Sequence, residues 1–290
     1  MHIIENEFLK VKAREFGAEL TSILDKRTGI EHLWQADEHF WGWHAPVLFP
    51  VVGRCLNDSI SVGGRNYPME KHGFTRKSTF KLLELGLEKM VFTLTASNET
   101  RAHYPFNFTF LIGYHLRGNS LVCNYEVVNT DNGDIYFSLG GHPAFAVPFF
   151  SGDVYEDYYL EFELEEHAER HFIDSDGFFD GTRETVLPNA RILPLSASMF
   201  NKDAYIFKQL QSRAVTIKTH KHDQQLTVRF AGFNYLGIWA KANAPFVCIE
   251  PWLGCADTAG RPMDFSRKED IVTLAASDKF CRSIIIEVGK

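Results

Sequence analysis

The chain has 290 residues, 45% hydrophobic and 23% charged, with 25 Phe and a formal net charge of −7. That is ordinary globular usage with ample material for a core, and it excludes a disordered or fibrous chain. The acidic balance, with no run of Lys and Arg, argues against a nucleic-acid or anionic-membrane surface, and no uncharged apolar run approaches the length that spans a bilayer.

Residues 8–26 alternate as Leu9, Val11, Ala13 and then Leu20, Ser22, Leu24, which predicts paired strands with a turn at Phe16-Gly17. Residues 31–43 carry Trp34, Trp41 and Trp43 on a polar stretch, read as a loop or short helix that feeds aromatic side chains toward the next segment. That segment, residues 46–52, is apolar and ends in Gly53-Arg54, so a guanidinium arrives where the strand pattern breaks. A polar hairpin is predicted over 57–66 with Gly63-Gly64 as its turn. His72-Gly73-Phe74-Thr75-Arg76 then sets an imidazole and a guanidinium within five residues.

From Thr79 onward the pattern is a β meander, with strands predicted over 80–85, 90–96, 106–116 and 120–129. Ser138-Leu139-Gly140-Gly141-His142-Pro143-Ala144-Phe145 follows. Two glycines and a proline around one histidine predict an imidazole held by a rigid turn at a strand end, at the lip of an apolar cleft. Residues 158–165 alternate as a half-exposed strand with an acidic face. The Gly-, Asp- and Thr-rich residues 174–189 read as a long connection or an exposed hairpin. Strands are predicted again over 214–219, 225–230, 235–240 and 282–288. Between the last two, Phe246-Val247-Cys248-Ile249-Glu250-Pro251-Trp252-Leu253-Gly254 fixes a carboxylate at the end of an apolar run, beside an indole.

Short strands, few helices and no strand–helix alternation predict an all-β antiparallel sandwich, one domain over residues 1–290. Five scattered cysteines without a Cys-x-x-Cys pair, and an N-terminus carrying Glu5 and Glu7 in place of a signal peptide's apolar stretch, predict a reducing, cytoplasmic setting. No phosphate-binding loop, dinucleotide fingerprint, nucleophile elbow or His-Glu-x-x-His helix occurs, and the His220-Lys221-His222 run reads as an exposed turn more readily than as a metal site. His142 and Glu250 offer an acid and a base of different intrinsic strength, and aromatic faces beside carboxylates suit sugars. Each also has a purely structural reading: His142 as a packing residue, Glu250 and the two arginines as members of ion pairs.

Four segments in order, residues 46–54, 72–76, 140–145 and 249–254, resemble the aldose 1-epimerase (mutarotase) family, and within it the LacX-like branch. The resemblance implies a galactose mutarotase-like β-supersandwich and cofactor-free, metal-free interconversion of the α and β anomers of an aldohexose. Carried over by motif, His142 is the acid that protonates the ring oxygen and Glu250 the base that takes the anomeric hydroxyl proton. Arg54, His72, Arg76, Asp203 and Trp252 would hold the sugar, and Arg54 would keep Glu250 ionised. The partner implied is a small-molecule sugar, with no nucleic acid and no membrane. The histidine context Gly140-Gly141-His142-Pro143 differs from the longer Asn- and Thr-containing one of galactose mutarotases, so the sugar stays open. Arg54 and Arg76 leave room for a hexose-6-phosphate epimerase, and the scaffold also serves non-catalytic sugar-binding or sugar-sensing proteins. A glycoside hydrolase would need a second well-placed carboxylate, which the sequence does not offer.

Overall fold

The computed structural model describes residues 1–289. Its backbone is dominated by a fifteen-stranded sheet whose ladders are all antiparallel. One end of the strand order is Val47–Leu48, Leu139–Gly141, Phe246–Leu253, Tyr235–Trp239, Tyr205–Lys208. The order continues through Tyr158–Ile173, Ala214–Thr219, Gln225–Arg229 and Lys279–Gly289 to the meander of Ser120–Asn129, Phe108–Arg117, Lys89–Thr95 and Lys81–Leu85. A sheet this long buries its apolar surface by curling on itself. A three-stranded sheet, His2–Glu5 with Leu9–Ala13 and Leu20–Asp25, a short hairpin of Ser59–Val62 with Arg65–Pro68, and a long-range pair of Ile135–Phe137 with Val272–Leu274 complete the frame.

The meander shows why alternation predicts strands. Along Phe108–Arg117 the residues Phe108, Phe110, Ile112, Tyr114 and Leu116 are buried, and the residues between them are not. The abundant Phe is explained mostly by this core. Phe49 alone has ring neighbours in Phe110 at 4.7 Å, Phe108 at 5.3 Å, Phe137 at 5.5 Å and Tyr104 at 5.8 Å. Each such ring contributes roughly 1.5–3 kcal/mol by leaving water.

One reading changes in length: the half-exposed strand does not stop at residue 165 but runs as Tyr158–Ile173, and of the two readings of the Gly-rich stretch after it the exposed hairpin holds, with Phe179–Pro194 as the partner strand. That partner is mostly exposed and pairs on one side only, so its sequence keeps just Phe179, Leu187 and Leu193 buried and shows no alternation. The two imidazoles of the 220–222 run go separate ways: His220 stacks on Tyr159, and His222 bonds Asp153 and Tyr158.

Candidate active site

Phe246–Leu253 lies between neighbours on both sides and is buried at all eight positions. A carboxylate in such a strand has no route to water except into a cavity. The two-residue repeat puts Cys248, Glu250 and Trp252 on one face, and Glu250 is only 2% exposed. The strand faces glycine on both sides here: Gly237 is opposite Glu250, and Gly140 is opposite Trp252. A Cβ on Gly140 would sit 2.5 Å from the Trp252 ring, and one on Gly237 2.6 Å from its other end. The indole is therefore seated by two missing side chains.

His142 follows the Leu139–Gly141 strand, and its N–H donates to the Pro46 carbonyl at 3.0 Å. Gly140 and Gly141 are strand residues paired with Leu48 and Val47. Close packing, not a left-handed backbone, is what requires them: a Cβ on Gly141 would lie 2.8 Å from Ile284. The imidazole stacks on Trp41 at 4.8 Å and meets Trp239 edge-on at 5.9 Å. Trp41 is itself tied down, its carbonyl accepting from the Trp34 indole N–H at 2.9 Å.

His142 Nε2 and Glu250 Oε2 are 3.2 Å apart. The sequence names both groups without fixing the distance between them, and the structure places them in contact. Burial drives both toward their neutral forms: the imidazole is pushed down to about 3, and the carboxyl is raised well above its usual range. The charges of Lys71 and Arg76 push His142 further down, while that of Lys71 eases Glu250 partly back.

His72 stands 5.8 Å from His142, ring centre to ring centre. Its backbone is left-handed, with φ 68°, and Gly73 beside it comes so close to Phe49 that a Cβ would lie 2.1 Å from the Phe49 carbonyl oxygen. The Gly53 N–H donates to His72 Nδ1 at 3.1 Å, which leaves the ring proton on Nε2. Burial holds this imidazole well below its ordinary range. His72 is thus a fixed neutral donor.

The cleft has a volume of about 360 Å³, in the range for small-molecule sites. His72, His142, Glu250, Trp252, Arg76 and Asp203 all line it, as do Trp41, Trp239, Lys71 and Lys241. Arg54 does not. Its guanidinium grips Asp58 through two bonds of 2.7 and 2.8 Å and the Asp176 carbonyl at 2.9 Å, and it borders a neighbouring hollow. The expectation that Arg54 keeps Glu250 ionised is therefore corrected: its charge is spent on Asp58, and burial raises the Glu250 carboxyl.

Comparison with known proteins gives the family. The sequence profile described as Aldose 1-epimerase matches residues 1–261. The chromosomal and plasmid LacX proteins of Lactococcus lactis subsp. lactis are each 34% identical over 295 residues, covering 93% of this chain and 98% of theirs.

This chain belongs to the aldose 1-epimerase family.

Its fold is that of the galactose mutarotases. A galactose mutarotase related enzyme from Lactobacillus acidophilus superposes with a TM-score of 0.94 at 33% identity, covering 100% of this chain and 97% of its own. A galactose mutarotase-like protein from Lactobacillus casei gives 0.93 at 32%, covering both chains fully. The family is one of isomerases, and the LacX-like assignment read from the four segments holds. Among the described residues no helix is long and apolar enough to cross a membrane.

Sequence reasoning missed several lining residues of this family member. Trp41 carried a signal as part of an aromatic stretch, whereas Lys71, Trp239 and Lys241 carried none, since lone lysines and a tryptophan in a strand are common. Among the described residues, His142, Cys248 and Glu250 form the one group of three His, Cys or carboxylate side chains close enough to surround a metal ion, their ligand atoms lying within 4.8 Å of one another. Burial holds the Cys248 thiol well above its usual range, and the nearby Glu250 adds to this, so it stands as a neutral thiol, the poorer form for a ligand.

Proposed function

We propose that this protein is a working aldose 1-epimerase that opens and recloses the ring of an aldohexose, with His142 and Glu250 as its proton carriers. The observation that supports this most is their 3.2 Å contact at the buried floor of a cleft lined by Trp41, Trp239 and Trp252. Between them the pair holds one proton. With that proton on His142, the imidazolium gives it to the ring oxygen, the carboxylate takes the anomeric hydroxyl proton, the bond from C1 to the ring oxygen breaks and C1 becomes a carbonyl. This leaves neutral imidazole and protonated carboxyl, the state that burial favours. Rotation about C1–C2 and reversal of both transfers close the ring on the other face. Atoms and protons balance without a redox step or an external base.

His72 Nε2–H donates to a sugar oxygen, and Asp203, exposed at the rim with one oxygen accepting from the Ala204 N–H at 2.7 Å, takes hydroxyl protons as hydrogen bonds. The five cysteines are free, four of them buried, which suits a reducing cytoplasm. Polarimetry or one-dimensional NMR of freshly dissolved α-glucose, α-galactose and α-glucose 6-phosphate tests the reading. Wild type speeds equilibration of at least one, and Glu250→Gln or His142→Asn lowers that rate by roughly 10²–10⁴ per group while the fold survives. A wild type that binds sugar yet leaves every anomer to equilibrate at the buffer rate is a binding protein instead.

A further inference from the structure

Arg170 lies on the long strand Tyr158–Ile173 and is only 2% exposed. A guanidinium taken this far out of water is ordinarily matched by a carboxylate. Arg170 makes no ion pair among the described residues, not even with Glu184 opposite it in the hairpin. Its donors go instead to three successive backbone carbonyls: Nη2 donates to those of Lys202 and Asp203, the latter at 2.8 Å, and Nε to that of Ala204 at 3.1 Å. The Phe172 and Tyr205 rings lie 4.5 and 4.1 Å from the guanidinium carbon, so its plane rests against aromatic faces in place of water.

Three carbonyls that meet one cation do not belong to extended chain, where successive carbonyls point to opposite sides. The kink is at Asp203, whose backbone is left-handed with φ 68°. A residue other than glycine keeps that conformation where its surroundings hold it. Here Arg170 grips the carbonyls of Asp203 and of both its neighbours, while the chain leading in, residues 197–202, is a run of turns. Asp203 is also the residue that lines the active cleft and the hollows on either side of it, whereas Arg170 lines none of them.

We propose that Arg170 is a positioning residue of the site: it touches no sugar, and by gripping residues 202–204 it sets the Asp203 carboxylate where a sugar hydroxyl meets it. The inference rests on the epimerase reading for the role of Asp203, and traces that role to a side chain outside the cleft. The test is a double-mutant cycle of Arg170→Gln and Asp203→Asn. It is run on whichever of glucose, galactose and glucose 6-phosphate the wild type turns over fastest, with anomer exchange followed by NMR. A hydroxyl acceptor holds the sugar before and during reaction alike, so each single variant raises KM about 10-fold and leaves kcat within about 2-fold. The two changes do not multiply, because Arg170→Gln has nothing left to misplace once Asp203 is replaced. A merely structural Arg170 gives a lower kcat, or a loss that multiplies with that of Asp203→Asn, and either result overturns the proposal. So does an unchanged KM in Arg170→Gln. Should that variant fail to fold, Arg170→Lys runs the same cycle, since it keeps the charge and loses the fork. If Asp203→Asn is itself silent, the role given to Asp203 is wrong and the proposal falls with it, while His142 and Glu250 keep theirs. If no sugar is turned over, the epimerase reading fails by itself, and calorimetric affinities for the same three sugars complete the cycle. No binding, or affinity that neither variant lowers, then overturns the positioning role.

Discussion

At the scale of single residues, the behaviour of this site follows from burial acting on two groups of opposite charge type. His142 is pushed down to about 3 and the Glu250 carboxyl is raised, so across the intervening range the pair keeps its single proton. Activity that depends on that proton is lost in acid only when His142 takes a second one, and in alkali when Glu250 gives up its own. The pH profile of kcat/KM should therefore lack the acid limb near 6.5 of an ordinary imidazole, and fall only toward pH 3. An acid limb near 6.5 would show that the imidazole titrates freely and that the pair does not work as one unit. His72 contributes no limb in this range, since Nδ1 is committed to the Gly53 N–H and burial keeps the ring neutral.

At the scale of elements, the site is made by three adjacent strands whose glycines admit one indole. Trp252 is wedged between Gly140 and Gly237, with would-be Cβ positions 2.5 and 2.6 Å from its ring. It cannot retreat from one without meeting the other. Gly140→Ala should cost about 1–3 kcal/mol as an overpacked site, seen as a lower urea midpoint with an unchanged slope. It should also lower kcat/KM, because the displaced indole moves into the cleft beside Glu250. A variant as stable as wild type would mean that the indole has room the packing does not show. Two of these strands, with Val47–Leu48 alongside, bring together the sequence signals at 46–54, 140–145 and 249–254: Gly140 pairs with Leu48 on one side and Trp252 on the other.

At the scale of the whole molecule, the large aromatic core carries one polar oddity. His32 is fully buried, neither ring nitrogen has a hydrogen-bond partner, and burial lowers it to about 4, with Phe149 edge-on at 5.1 Å. Its native value is depressed, so the unfolded chain binds the extra proton first as pH falls below about 6.5. The stability it contributes is present above that pH and is lost on the way down through about 4. At pH 4 the loss amounts to about 3 kcal/mol from this residue. His142, depressed for the same reason, adds to it. Urea titrations of His32→Leu at pH 7 and pH 4 should show a smaller fall than wild type, and an identical fall would remove His32 from the account.

The sequence by itself determined the fold class and most strands, because alternation and turn residues are local. It also marked His142 and Glu250, because each sits where an apolar run meets glycine or proline, while His72 and Trp252 were marked by motifs shared with the family. Tertiary structure alone decided the rest. Whether an arginine faces a ligand or an acid depends on the partner that folding brings to it, and Arg54 found Asp58 where the cleft was expected. Lys71 and Lys241 became part of the cleft through chain crossings that no spacing encodes. The separation of His142 from Glu250, and with it the proton they share, is set by strand pairing and burial across more than a hundred residues, where local pattern carries no distance.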